Sequence, residues 1–150
     1  MAADVEEIEA VYRSEFRRFL RAATAIAGSE EQGLDAVQEA FALALRHRRR
    51  FRREGPLEAW LWRTVVNCAR KASRGQPAAA VSIGNGAPDH DRELRALVAA
   101  LPERQRHVLF LRYYADLDYR AIAEALEISP GTVGAALNAA RTRLRQEVER

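Results

Sequence analysis

A single cysteine, Cys68, among 150 residues leaves the chain no internal disulfide, in keeping with a reducing compartment. It sits in an apolar helical pattern and reads as a core thiol. Histidine is nearly as scarce: His47, His90 and His107 fall in three separate segments, none at metal-ligand spacing from a cysteine or carboxylate, so no metal site is expected. The chain lacks a glycine-rich phosphate loop and a serine elbow, so neither a cofactor nor catalysis is expected. No apolar run approaches the length of a membrane span, and the opening MAADVEEIEA is acidic rather than signal-like. A cytoplasmic protein that is not an enzyme is the expectation. Runs of alternating β-branched residues are missing too, while Ala, Leu, Arg and Glu abound, which predicts an all-α fold.

What is present is helical periodicity. Val5, Ile8, Val11, Tyr12, Phe16, Phe19, Leu20, Ala23 and Ile26 recur at three- and four-residue spacing and predict an amphipathic helix over 5–27. Gly28 supplies its stop. Ser29 with Gln32 opens a second helix over about 30–47, with Leu34, Val37, Phe41, Ala44 and Leu45 as its buried stripe. Gly55-Pro56 announces a third helix to about Ala72, burying Leu57, Trp60, Leu61, Thr64, Val65 and Cys68. Residues 75–91 hold three glycines and two prolines without helical period. They read as a flexible linker spanning roughly 20–25 Å. Beyond it, Leu94, Leu97, Val98 and Leu101 make a short helix ended by Pro102. Val108, Leu109, Phe110, Leu111, Tyr113 and Tyr114 form the buried centre of the next. The expected organisation is two small helical domains, 1–74 and 92–150, joined by the linker 75–91.

The last third, DYRAIAEALEISPGTVGAALNAARTRLR (118–145), has the form of a helix-turn-helix. Ser129 is its N-cap and Pro130 the first residue of the second helix, while Ala123, Leu126, Ile128, Val133 and Leu137 make a shared core. Such a unit presents its second helix to the DNA major groove. Charge adds a second contact. The net charge is only +3, but residues 1–74 carry fourteen basic against eleven acidic side chains, whereas 75–150 are balanced. The excess centres on RHRRRFRREGP (46–56), whose like charges repel one another unless a polyanion is near. Trp62, with Arg63 and Asn67, follows on the side of the third helix away from Trp60 and suits stacking on unpaired bases; the plainer reading is packing against the first helix or the second domain. Asp35, Gln38, Glu39 and Ala42 share an exposed face of the second helix.

Taken together, DAVQEAFALALR (35–46), FRREGPLEAWLWRTVVN (51–67), LPERQRHVLFLRYY (101–114) and DYRAIAEALEISPGTV (118–133) resemble a bacterial RNA polymerase sigma factor of the two-domain, extracytoplasmic-function type. The resemblance implies a region-two bundle of three helices and a region-four helix-turn-helix. It implies core RNA polymerase as partner, bound through Asp35, Gln38 and Glu39. It implies reading and melting of the promoter's minus-ten element by Arg48, Arg49, Arg50, Arg52 and Arg53 with Trp62, Arg63 and Asn67, which hold the melted non-template strand. Duplex contacts to the minus-thirty-five element fall to Ser129, Thr132, Asn138 and Arg141. An anti-sigma factor is a possible further partner; a membrane is not. Three departures stand out: Glu127 where the family usually has Gly, Gly134 inside a helix, and Ala135, Ala136 and Ala139 where polar residues are common. They point to weak or relaxed upstream recognition. The rival readings are a sigma-like interaction protein and a stand-alone helix-turn-helix regulator.

Overall fold

The computed structural model describes residues 3–51, 55–74 and 89–150, and among these every regular element is helical. Helix α1 (Val5–Ala27) starts at Asp4, whose carboxylate accepts from the Glu7 N–H at 2.9 Å. It ends at Gly28 in a left-handed conformation, φ 107°, which costs a glycine nothing. Helix α2 (Glu30–Arg46) is capped by Ser29, which accepts from the Gln32 N–H. Helices α1 and α2 approach closely at Gly33: a Cβ there would lie 2.5 Å from Thr24 Oγ1 and 2.7 Å from its Cα. After a 3-10 turn at Arg48–Arg50 comes α3 (Leu57–Ser73). These three helices pack around Phe19, Phe41 and Trp62, with Phe19 4.5 Å from the Trp62 ring and 5.4 Å from that of Phe41.

The second lobe comprises α4 (Asp89–Ala99), α5 (Glu103–Tyr113), α6 (Tyr119–Leu126) and α7 (Pro130–Val148). Arg106 donates to the carbonyls of Ala99 and Leu101, satisfying acceptors that the end of α4 leaves over. Helices α6 and α7 form the helix-turn-helix, with Ile122, Val133 and Leu137 completely enclosed. The lobes are not separate bodies. Helix α6 packs on α3 and α5 meets α1, so buried side chains from both lobes belong to one continuous cluster.

Several sequence expectations need correction. Leu34, expected in the buried stripe of α2, is exposed, while Gly33, Ala36, Val37, Ala40, Phe41 and Ala44 face inward. In α3 the expected phase is off by about 100°, one residue's rotation: Trp62 and Val66 are buried and Trp60 is only half-buried. Of the residues expected at the buried centre of the helix after Pro102, Tyr113 and Tyr114 are exposed and Leu109 is half-buried. Instead Ala115 and Leu117, in the loop before α6, are buried. Ala136, expected to face the groove, is buried. Helix α4 starts at Asp89, inside the stretch read as linker; the rest of that stretch, 75–88, lies outside the described residues, as do Arg52 and Arg53.

Candidate nucleic-acid interface

Helix α2 presents Asp35, Gln38 and Glu39 side by side to solvent, because its i, i+3 and i+4 positions share one face. The opposite face is held down by Val37, Phe41 and Ala44. Lys71 of α3 lies 3.9 Å from Glu39, with both groups well exposed. The strip is therefore an accessible acidic and amide surface on a rigid helix.

At the other end of the lobe, the chain leaving α2 turns through Arg48, Arg49 and Arg50. The Arg48 guanidinium donates to the Leu45 carbonyl at 2.7 Å and is occupied locally. Arg49 and Arg50 point outward. Next, Phe51 is buried against Trp60, ring centroids 5.4 Å apart. Arg50, Phe51, Gly55, Pro56, Ala59, Trp60 and Arg63 line a hollow of about 460 Å³, reached also by Glu124 of the second lobe. Trp60, Arg63 and Asn67 recur at i, i+3 and i+7 on the outer side of α3.

That arrangement revises the assignment of the stacking aromatic. Trp62 is 2 % exposed and packed on Phe19, so its indole has no face to offer a base. Both indoles are apolar and two residues apart, and periodicity alone does not say which side the bundle covers. The ring beside the arginines is Trp60. The missed signal was Phe51: an aromatic within the basic run is a partner for one indole only.

In the second lobe Ser129 accepts from the Thr132 N–H at 3.1 Å, and the two hydroxyls are 2.8 Å apart, so Ser129 is occupied as a cap. Asn138 is exposed on α7 along a groove with Gln105, Ala135, Ala139, Thr142, Arg143 and Gln146. Arg141 lies apart from it: its Nε and Nη2 donate to the Tyr113 hydroxyl at 3.0 and 2.7 Å, which raises its pKa further. The groove-facing polar set thus gains Gln105, Thr142 and Arg143, and Arg141 is already engaged. Gly134 faces Tyr119, where a Cβ would sit at an ordinary 3.5 Å.

Among the described residues, the titratable groups of Cys68 and His107 are buried. The Cys68 thiol is pushed up to about 11, first by desolvation and then by Glu39, and is protonated at neutral pH. His107, 3 % exposed, is held down at about 4, chiefly by desolvation, against the opposing pull of Glu103. At pH 7 the thiol is therefore protonated and the imidazole neutral. Among the described residues, no helix is long and apolar enough to cross a membrane.

A helix-turn-helix on one lobe, and a basic turn over an aromatic-lined hollow on the other, define a two-lobed all-α DNA-binding protein. Comparison with known proteins narrows the class. The family model for sigma-70 region 2 matches residues 11–77, and that for sigma-70, region 4 matches residues 91–144. The RNA polymerase sigma factor SigV of Bacillus subtilis is 27 % identical over 124 residues, covering 77 % of this chain and 75 % of SigV. Among solved structures, CnrH in complex with the cytosolic domain of CnrY superposes with a TM-score of 0.77 at 20 % identity, over 98 % of this chain and 90 % of that one. The sigma factor RpoE in complex with the anti-sigma factor NepR from Bartonella quintana gives 0.72 at 18 %, over 97 % and 98 %. At such identities the two structures show a common fold. The chain belongs to the sigma-70 family, as a two-domain sigma factor of the extracytoplasmic-function type that directs transcription initiation.

Proposed function

We propose that this chain docks on core RNA polymerase through Asp35, Gln38 and Glu39 and delivers it to promoters by two separate DNA contacts. Arg49 and Arg50, with Arg52 and Arg53, attract the phosphates of the minus-ten element. Trp60, Phe51, Arg63 and Asn67 hold an unstacked base of the non-template strand. Asn138, Gln105, Thr142 and Arg143 meet the upstream duplex. The observation that carries this reading is the hollow under the basic turn, where an aromatic face, guanidinium groups and a turn in the backbone converge. Base stacking on such a ring is worth about 1–3 kcal/mol, enough to help keep a melted strand apart.

The protein acts in the cytoplasm and performs no chemistry of its own, lending its specificity to the polymerase. Domain limits of 1–74 and 92–150 fit this division of labour. An anti-sigma factor belongs among the proposed partners, since a sigma factor of like fold is bound to one in its solved structure. A second reading has support in one feature: over the first half of α7, residues 130–140, the exposed positions are Pro130, Gly131, Ala135, Asn138 and Ala139, of which Asn138 alone has a polar side chain. With so few polar groups there, the upstream contact is weak, and the first lobe carries most of the promoter recognition.

The test is the salt dependence of binding to forked promoter DNA by holoenzyme assembled with Arg49→Ala/Arg50→Ala/Arg52→Ala. For every phosphate that the variant no longer neutralises, the log–log slope should fall by about 0.7–0.9. A slope unchanged from the parent chain would return the arginine run to an ordinary solvated surface.

A further inference from the structure

Few side chains on α7 are free to read a base, and elimination finds them. Ser129 and Thr132 are spent on the cap, with their hydroxyls 2.8 Å apart and Ser129 accepting from the Thr132 N–H. Arg141 is held on the Tyr113 hydroxyl at 2.7 and 3.0 Å. Val133, Ala136, Leu137 and Ala140 are buried in the lobe. After Pro130, the exposed positions left in the first half of the helix are Gly131, Ala135, Asn138 and Ala139. At spacings of four, three and one they share a face about 12 Å long.

The small residues decide what the amide can do. Asparagine is short, and among lysines or arginines it would be held off the base edges. Beside hydrogens and methyls it is the longest group on its face, so α7 can seat deep in a major groove and bring Asn138 to the floor. Its carboxamide offers a donor and an acceptor in one plane. Adenine matches them with its N7 and N6 amine, whereas guanine presents two acceptors and would set O6 against the Asn138 oxygen. The methyls of Ala135 and Ala139 suit the C5 methyl of thymine, a group the other three bases lack. Gln105 of α5 lines the same groove of about 720 Å³, and its Oε1 is buried without a hydrogen-bond partner. An unmet acceptor is costly, so this half-exposed side chain gains by swinging outward once a base amine arrives. Arg143 is set about 80° round the helix from Ala135, at the edge of the face, where phosphates lie rather than bases.

We infer that α7 reads A·T pairs directly: Asn138 takes an adenine of the upstream element, Ala135 and Ala139 seat thymine methyls beside it, and Gln105 adds a second amide from outside the helix-turn-helix. This rests on the reading of α7 as the upstream-duplex contact and names the bases that contact selects. No guanine is required by this face.

The experiment selects duplexes from a library randomised at both promoter elements, using holoenzyme assembled with the full chain or with Asn138→Arg, and footprints the enriched DNA. The parent should enrich adenine at one upstream position with thymines next to it. Asn138→Arg should exchange that adenine for guanine, whose O6 and N7 arginine pairs with. On the enriched duplex, 7-deazaadenine at that position should weaken the parent about fivefold, the loss of one hydrogen bond, and leave Asn138→Ala unaffected. Deoxyuridine in place of a neighbouring thymine should cost about fourfold, the loss of one buried methyl. Gln105→Met, of similar size, should weaken the parent's binding, and equal affinity would strike Gln105 from the reading set. Guanine enriched by the parent, an adenine preference that survives Asn138→Ala, or indifference to 7-deazaadenine would overturn the inference. Upstream protection without base preference would overturn the base reading alone. No upstream protection at all would overturn the upstream contact, and the inference with it.

Discussion

At the scale of single residues, burial decides what a side chain can do, and two positions show it. Trp60 and Trp62 are the same residue type two positions apart, yet one packs on Phe19 and the other stands beside the basic turn. The sequence contained the pair but not the side, because α3 is apolar over much of its circumference. His107 is a second case. Its pKa of about 4 in the folded chain lies below the ordinary value of 6.5, so the unfolded chain binds the proton first as the pH falls. The stabilisation from keeping His107 neutral is whole above about pH 6.5 and is lost progressively down to about 4. At about 1.4 kcal/mol per pH unit, some 2–3 kcal/mol should disappear between pH 7 and 4.5. Urea denaturation at the two pH values measures it, with His107→Leu as control. The variant should lose less stability on acidification than the parent; equal losses would assign the effect to other groups.

At the scale of elements, caps and turns were the most legible features. Ser29, Gly28, Ser129 and Pro130 mark ends that the helices respect, because each supplies a hydrogen bond or a conformation the backbone needs there. Glu127 was legible as a conflict, a glutamate where a left-handed residue is required, and the structure has it left-handed. Comparing Glu127→Gly with Glu127→Ala isolates that strain, since both lose the carboxylate and only glycine relieves the backbone. The glycine variant should be the more stable by about 1 kcal/mol in chemical denaturation. Equal stabilities would mean the turn relaxes without cost. Asp116 was not legible in the same way: nothing in its neighbours signals the second left-handed position. The exposed Tyr113 was also missed, because a tyrosine among leucines reads as core until Arg141 is seen on its hydroxyl.

At the scale of the whole molecule, the order of segments was readable and their mutual placement was not. The helix-turn-helix, the basic run and the Asp35–Glu39 face are local patterns, carried by residues a few positions apart. The docking of the second lobe on the first brings Arg18 and Arg63 to backbone carbonyls about 60 to 100 residues away, and carbonyls leave no trace in a sequence. The linker reading implied independent lobes, whereas the buried cluster runs through both. Lobe packing thus joins the two modules in one continuous core.

The most direct measurement of the central claim is binding of the purified chain to core RNA polymerase, followed by run-off transcription from a promoter the holoenzyme selects. The parent chain should bind and start transcripts at a defined position. Asp35→Lys/Glu39→Lys, both on an exposed face that the fold does not need, should keep its helicity and lose both activities. Polymerase binding that survives this double reversal, or transcripts no different from those of core enzyme alone, would contradict the account.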